Sequence, residues 1–257
     1  MAAPSPASPN RGGTVQSVDR TIELLELLAD AGGKASLSEL AIKTELPLPT
    51  IHRLIRTLLA HGYVRQLHSR QYALGPRLIR LGHGAGRQFG SDALPYLDRV
   101  ARDLGESANL ATIDRDMVVY VAQASSSHSM RMFTEVGRRV FPHSTGVGKA
   151  VLAQLPDSEV LEIVQRIGMP PATDKSLSTV EELLAELAKI REQGFAIDDG
   201  EQEVGVRCFA VPVPGAPTPT ALSISGPDGR VTMEFGDSAV PVLQEIAGEI
   251  GEVLLAG

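Results

Sequence analysis

The stretch Thr145-Gly146-Val147-Gly148-Lys149-Ala150 combines glycines with a lysine, the ingredients of a loop that cradles phosphates. A nucleotide-binding loop of that kind reads GxxxxGK followed by Ser or Thr, the final hydroxyl being the one that holds magnesium. Here His143 stands five positions before Gly148, and Ala150 replaces the hydroxyl residue. The pattern argues against nucleotide hydrolysis. What survives is a glycine-rich turn opening a helix, whose N–H groups and dipole favour a carboxylate or another small anion. A tight turn without a ligand is the competing reading.

Cys208 with His128 or His143 has the residue types of a thiol hydrolase, but no nucleophile signature surrounds it, and a buried structural thiol is the simpler reading. Asp198-Asp199 lies about ten residues earlier; a carboxylate pair suits acid–base chemistry, a metal or a turn, and alone it reads as a turn. No HxxxH, HExxH or Cys/His cluster supplies metal-ligand spacing, so neither a metal nor another cofactor is called for. A single cysteine also excludes an intrachain disulfide, which fits a reducing compartment.

The segment from Thr50 to His61 carries different chemistry. At helical spacing Ile51, Leu54, Ile55, Leu58 and Leu59 share one arc, while Thr50, His52, Arg53, Arg56, Thr57 and His61 share the other. The second arc is cationic and hydrogen-bonding with no carboxylate to neutralise it. Such a helix can enter a major groove, where arginine forks onto guanine. A solvated helix face is the plain alternative. Arg65 and Arg70 fall in a hairpin just after it, as candidate phosphate contacts that set register, or as ordinary surface arginines.

The elements that must position these residues follow from periodicity and punctuation. Residues 1–13 are rich in Pro, Ala, Ser and Gly and read as a disordered arm. Val18, Ile22, Leu25 and Leu28 mark a helix ended by Gly32-Gly33. Ser36 and Glu39 have capping-box spacing for a second helix, which Leu46-Pro47-Leu48-Pro49 should end. Residues 63–67 and 71–74 read as strands around His68-Ser69-Arg70. Three helices and a hairpin make a winged helix-turn-helix over residues 14–75. A linker helix over 76–91, broken by the glycines at 82, 84, 86 and 90, leads to a second domain over 92–257 with the pattern of a ligand-binding shape. That domain alternates helix patterns (92–104, 148–155, 158–167, 179–193, 237–255) with strand patterns (107–113, 117–123, 195–197, 206–213, 221–225). Short hairpin turns give an α+β fold with an antiparallel sheet.

Charge supports this division. The chain has 257 residues and a net charge of −7, yet residues 1–90 hold 11 Lys+Arg against 6 Asp+Glu, net +5, leaving net −12 for the remainder. Four of the six histidines also lie in the basic part. A basic module compatible with phosphate contacts is therefore joined to an acidic one that contacts something else. No run of eighteen apolar residues and no apolar leader in MAAPSPASPNRGG are readable, so a cytoplasmic protein without a membrane partner is expected.

Several ordered motifs resemble the IclR family of bacterial transcriptional regulators over almost the whole chain. They are SVDRTIELLELLA from Ser17, LSELA from Leu37, TIHRLIRTL from Thr50, GYV from Gly62, YALGPRLIRLG from Tyr72, TGVGKAVLA from Thr145, GFAIDDGEQEVGVRCFAVPV from Gly194, and SISGP from Ser223. The resemblance implies an N-terminal winged helix-turn-helix, a linker helix and, over 92–257, a C-terminal GAF/PAS-like effector-binding and oligomerisation domain, assembled as a dimer or tetramer. It implies a regulator, more often a repressor, that binds double-stranded operator DNA under the control of a small-molecule effector and performs no catalysis. It also implies an effector site made by Gly146, Val147, Gly148, Asp198, Cys208, Ser223 and Ser225. Ser223 and Ser225 alternate on a strand, so both hydroxyls face one side. Leu48-Pro49 departs from the basic or hydroxyl residue the family often has before the recognition helix. Met130, Met132 and Phe133 are candidate apolar lining, in a segment that resembles regulators of allantoin and glyoxylate use.

Overall fold

The computed structural model describes residues 15–89, 91–129 and 134–256; the arm at 1–13 and the candidate lining at Met130, Met132 and Phe133 lie outside them. The chain forms two compact units that divide between Ala85 and Gly86.

The first unit contains α1 (Gln16–Asp30), β1 (Lys34–Ala35), α2 (Leu37–Thr44), α3 (Leu48–Ala60), β2 (Val64–Gln66) and β3 (Tyr72–Leu74). Leu24 and Leu28 of α1, Leu40 of α2, and Ile51, Ile55 and Leu58 of α3 make one apolar core with Val64 and Tyr72. The Ser36–Glu39 capping box is complete: Glu39 N donates to Ser36 Oγ at 3.2 Å and Ser36 N to Glu39 Oε2 at 2.7 Å. Two boundaries differ from the sequence reading. α2 stops at Thr44, where Glu45 turns into the left-handed region at φ 54, and Leu48-Pro49 opens α3 instead of closing α2. Proline is tolerated in a first turn because its missing N–H has no intrahelical partner there. β1, which two residues are too few to announce, pairs antiparallel with β3, giving a three-stranded wing in the order β1-β3-β2. Gly75 closes it: a Cβ there would stand 2.2 Å from Gly62 O.

α4 (Arg77–Phe89) follows, and it runs unbroken through Gly82, Gly84 and Gly86. Glycine lowers helix propensity by about 1 kcal/mol per position but, unlike proline, neither removes a donor nor clashes, so the break expected there does not occur. The start of α4 is anchored by Arg77, which lies 5.7 Å from the Tyr63 ring centre and donates to His61 O at 3.3 Å.

The second unit runs α5 (Leu94–Leu104), β4 (Ser107–Asp114), β5 (Met117–Ala124), β6 (Arg139–Val140), α6 (Gly146–Leu152), α7 (Asp157–Ile167), α8 (Val180–Gln193), β7 (Ala196–Asp199), β8 (Val206–Pro212), β9 (Thr220–Pro227) and α9 (Met233–Ala256). Its six strands form an antiparallel sheet in the order β6-β5-β4-β9-β8-β7. Because side chains alternate along a strand, the sheet has two distinct faces. Leu110, Phe209, Val211, Leu222 and Ile224 pack with α5 and α9 on one, through Leu97, Leu243 and Ile250. Ala111, Val118, Cys208, Ala210 and Ala221 pack with α6, α7 and α8 on the other, through Val147, Ile163 and Leu187. The architecture is α+β, and the second face carries the polar residues described next.

Candidate functional site

In α3, burial of Ile51, Leu54, Ile55 and Leu58 against the core turns His52, Arg53, Arg56 and Thr57 outward. Thr50 sits at the margin, half-buried. No acidic residue lies in the first turn of this helix, and no carboxylate pairs with Arg53, Arg56, Arg65 or Arg70 among the described residues. Arg65 is exposed on β2, and Arg70 is exposed in the β2–β3 turn, where it adopts φ 63. The result is an uncompensated cationic helix face with two further cations on the adjoining wing.

In the second unit, strand register assembles a polar row. Asp198 pairs across with Cys208, Cys208 with Ser225, and Ala210 with Ser223, so the candidate side chains Asp198, Cys208, Ser223 and Ser225 share the face beneath α6. α6 approaches this row closely, because a Cβ on Gly146 would stand 2.9 Å from Cys208 Sγ. Val147 packs in the same cluster as Cys208. Gly148 differs: its N–H donates to the capping Thr145 Oγ1 at 3.1 Å, and a Cβ there would lie 2.4 Å from Pro142 O. The amide at Gly148 is therefore occupied, which corrects the expectation of a free donor at that position. Gly146 and Val147 supply the amides that open the helix.

Burial governs the electrostatics. Asp198 Oδ1 accepts from Glu201 N at 2.8 Å and Gln202 N at 3.3 Å, yet burial, then the Glu201 charge, push the carboxyl up to about 7. Burial and Asp198 likewise push the Cys208 thiol up to about 12, so it stays protonated. Lys149 is 1% exposed, ion-paired to Glu201 and 3.6 Å from Glu186 on α8. Ser225 Oγ accepts from Asn109 Nδ2 at 3.1 Å. Ser223, 1% exposed, lies against the Cys208 thiol, but its Oγ has no nitrogen or oxygen partner among the described residues; Glu201 Oε2 is in the same condition. Tyr120 is placed near Cys208 and Asp198, and burial raises its hydroxyl well above the ordinary phenol range. The β7–β8 turn is strapped down by Thr173 Oγ1 on Gly200 O at 2.7 Å and Ser176 Oγ on Glu201 O at 2.6 Å.

Comparison with known proteins decides the family. Residues 17–68 match the IclR helix-turn-helix domain, and residues 88–252 match the C-terminal domain of bacterial transcriptional regulators of the IclR type. The chain belongs to the IclR family. The transcriptional repressor IclR of Escherichia coli is 33% identical, covering 96% of this chain and 97% of its own length. The repressor AllR of the same organism is 30% identical over 98% of this chain and 94% of its own length, so the allantoin-type resemblance is not singled out. An IclR transcriptional regulator from Alicyclobacillus acidocaldarius superposes with a TM-score of 0.82 at 28% identity, over 94% of this chain and 99% of its own. As an IclR-family protein, the chain is a helix-turn-helix DNA-binding transcriptional regulator. No helix among the described residues is long and apolar enough to cross a membrane.

Sequence reasoning missed Lys149, Glu201, Asn109 and Tyr120 within this cluster. One signal was readable: in the seven residues GVGKAVL, every position except Lys149 is apolar or glycine, and the whole helix is buried. A lysine in such a setting requires a carboxylate partner. Asn109 and Tyr120 gave no signal, because they join the row through the pairing of β4 with β9 and a register shift between Leu110 and Ala111.

Proposed function

We propose that this regulator is a repressor whose hold on operator DNA is altered by a small polar metabolite bound beneath α6. The observation that carries the reading is Ser223 Oγ, a hydroxyl on a residue only 1% exposed, which lies against the Cys208 thiol and has no nitrogen or oxygen partner among the described residues. A buried polar atom left unpaired costs about 1–3 kcal/mol, and a ligand that meets it recovers that cost. Gly146, Val147, Asp198, Cys208, Ser223 and Ser225 form the site, with Gly148 shaping the helix start. The amides at Gly146 and Val147 attract an anionic or carbonyl oxygen. Asp198, half-protonated near neutrality, gives to or accepts from a hydroxyl or amide. A ligand with both donors and acceptors, such as a hydroxy acid or a ureide, suits this set better than a hydrocarbon acid. A homologue of the same fold from Microbacterium hydrocarbonoxydans was solved as a complex with 4-hydroxybenzoate.

On the DNA side, His52, Arg53 and Arg56 face the groove with Thr50 at the margin, and Arg65 and Arg70 hold phosphates. Dimers or tetramers place two such units on separated half-sites. The thiol-hydrolase alternative is disfavoured, since a nucleophilic cysteine needs a thiolate and Cys208 is held protonated. The test is a melting-temperature screen of hydroxy acids, keto acids, ureides and 4-hydroxybenzoate, followed by operator release. A compound at a hundred times its Kd stabilises by about 2.7 kcal/mol. The expected hit loses its effect in Ser223→Ala and Asp198→Asn; a hit whose effect survives in both moves the site elsewhere. If no compound shifts the wild type, a DNA-binding protein without an effector is the better account.

A further inference from the structure

The first turn of α3 differs in kind from the face it continues. Pro49 precedes Arg53 by four residues and Arg56 by seven, and Leu48 precedes His52 by four, so both prolong the rows that carry the exposed polar side chains. Both are exposed, Leu48 to 52%. This end is also poor in donors. The preceding Pro47 provides no side-chain cap, Pro47 and Pro49 lack an N–H, and the amides of Thr50 and Ile51 both donate to Pro47 O, at 2.9 and 3.2 Å. At most the Leu48 amide is left for a phosphate, where a helix start would ordinarily offer several.

A helix tip that enters a groove while offering apolar surface and few donors must meet something apolar there. The major-groove edge of a base pair has one such group, the thymine 5-methyl. The geometry points to Leu48 and Pro49 as specificity residues that read thymine methyls in each half-site, while the charged rows behind them contact base edges and phosphates. This rests on α3 being the groove-facing helix.

The experiment uses the full chain and a duplex it selects from a randomised pool. Each thymine is replaced in turn by uracil, which removes only the methyl. At one or two positions per half-site the wild type should bind about fourfold more weakly, the worth of one buried methyl. The same exchanges should leave Leu48→Ala/Pro49→Ser unchanged, its melting temperature confirming that it is folded. Leu48→Lys, which keeps Pro49, should lose the part of the methyl sensitivity that Leu48 supplies and steepen the salt dependence by about one phosphate contact. Equal uracil effects in wild type and double variant, or no sensitive thymine in a selected duplex, overturn the methyl reading while leaving α3 in the groove. Failure to enrich any duplex overturns the groove placement itself.

Discussion

A β-carbon added to Gly146 would stand 2.9 Å from the sulfur of Cys208, closer than side-chain atoms normally approach. The next nearest atoms, Cys208 Cβ and O, lie at 3.5 Å, so the sulfur alone is the obstacle. Gly146→Ala should therefore destabilise the protein by on the order of 1–3 kcal/mol through overpacking. Cys208→Ala in the same chain makes room and should recover much of the loss, giving a coupling above about 0.5 kcal/mol in a double-mutant cycle. Strictly additive melting shifts would show that α6 does not press on the thiol.

Lys149 invites a second cycle. Its ammonium is enclosed with Glu201 and within 3.6 Å of Glu186, and both Glu201 and Asp198 depend on it for compensating charge. Lys149→Met leaves these carboxyls without their cation and should cost about 3–5 kcal/mol. Lys149→Met/Glu201→Leu removes both charges and should regain most of that stability. Chemical denaturation of the single and double variants measures both. A double variant no more stable than Lys149→Met would mean the pair is not what holds α6 to the β7–β8 turn.

The parts of this structure legible in the sequence are those set by local rules. The α3 face was readable because Ile51, Leu54, Ile55 and Leu58 recur at helical spacing, and the Ser36–Glu39 cap because its spacing is itself the mechanism. Pairing is not local. β1 exists only because Lys34 and Ala35 lie opposite Ala73 and Tyr72, and Asn109 meets Ser225 because β4 and β9 are neighbours across more than a hundred residues. The glycines of α4 look like a stop in the sequence because they lower helix propensity, yet the helix runs through Gly82, Gly84 and Gly86. The candidate effector residues came from resemblance to a family; the ion pair behind them, Lys149 with Glu201, needed the fold.

Asp198 ties stability to pH. Its folded value of about 7 lies above the ordinary 3.8, so between those values the native state holds the extra proton. Stability from this group is full below pH 3.8 and is lost as pH rises through 7. Glu201, also raised by burial, acts in the same sense. His143 is lowered by burial and acts oppositely, losing stability as pH falls through the ordinary imidazole range. The three are separated by comparing wild type with Asp198→Asn, whose amide oxygen can still accept from Glu201 N and Gln202 N. The variant's melting temperature should gain on the wild type between pH 5.5 and 8. Parallel curves over that range would remove Asp198 as the titrating group.

Arg70 separates backbone strain from DNA contact in the wing. It holds φ 63 in the β2–β3 turn, with its N–H donating to Leu67 O at 2.9 Å. A non-glycine residue in that region carries roughly 1–2 kcal/mol of strain, which Arg70→Gly relieves and Arg70→Ala retains. Glycine should thus leave the protein at least as stable as wild type, with alanine below it. On DNA the two should behave alike: each removes one phosphate contact, weakening all sequences together and reducing the salt slope by about 1. Arg53→Ala should differ from both, costing about 1–3 kcal/mol on the selected duplex and far less on unrelated DNA, because a base-reading arginine discriminates where a phosphate contact does not. Titrations at several salt concentrations on both duplexes measure the contrast. If Arg53→Ala weakens both duplexes equally, Arg53 is a phosphate contact; if Arg70→Gly leaves the slope unchanged, the wing tip stays off the DNA.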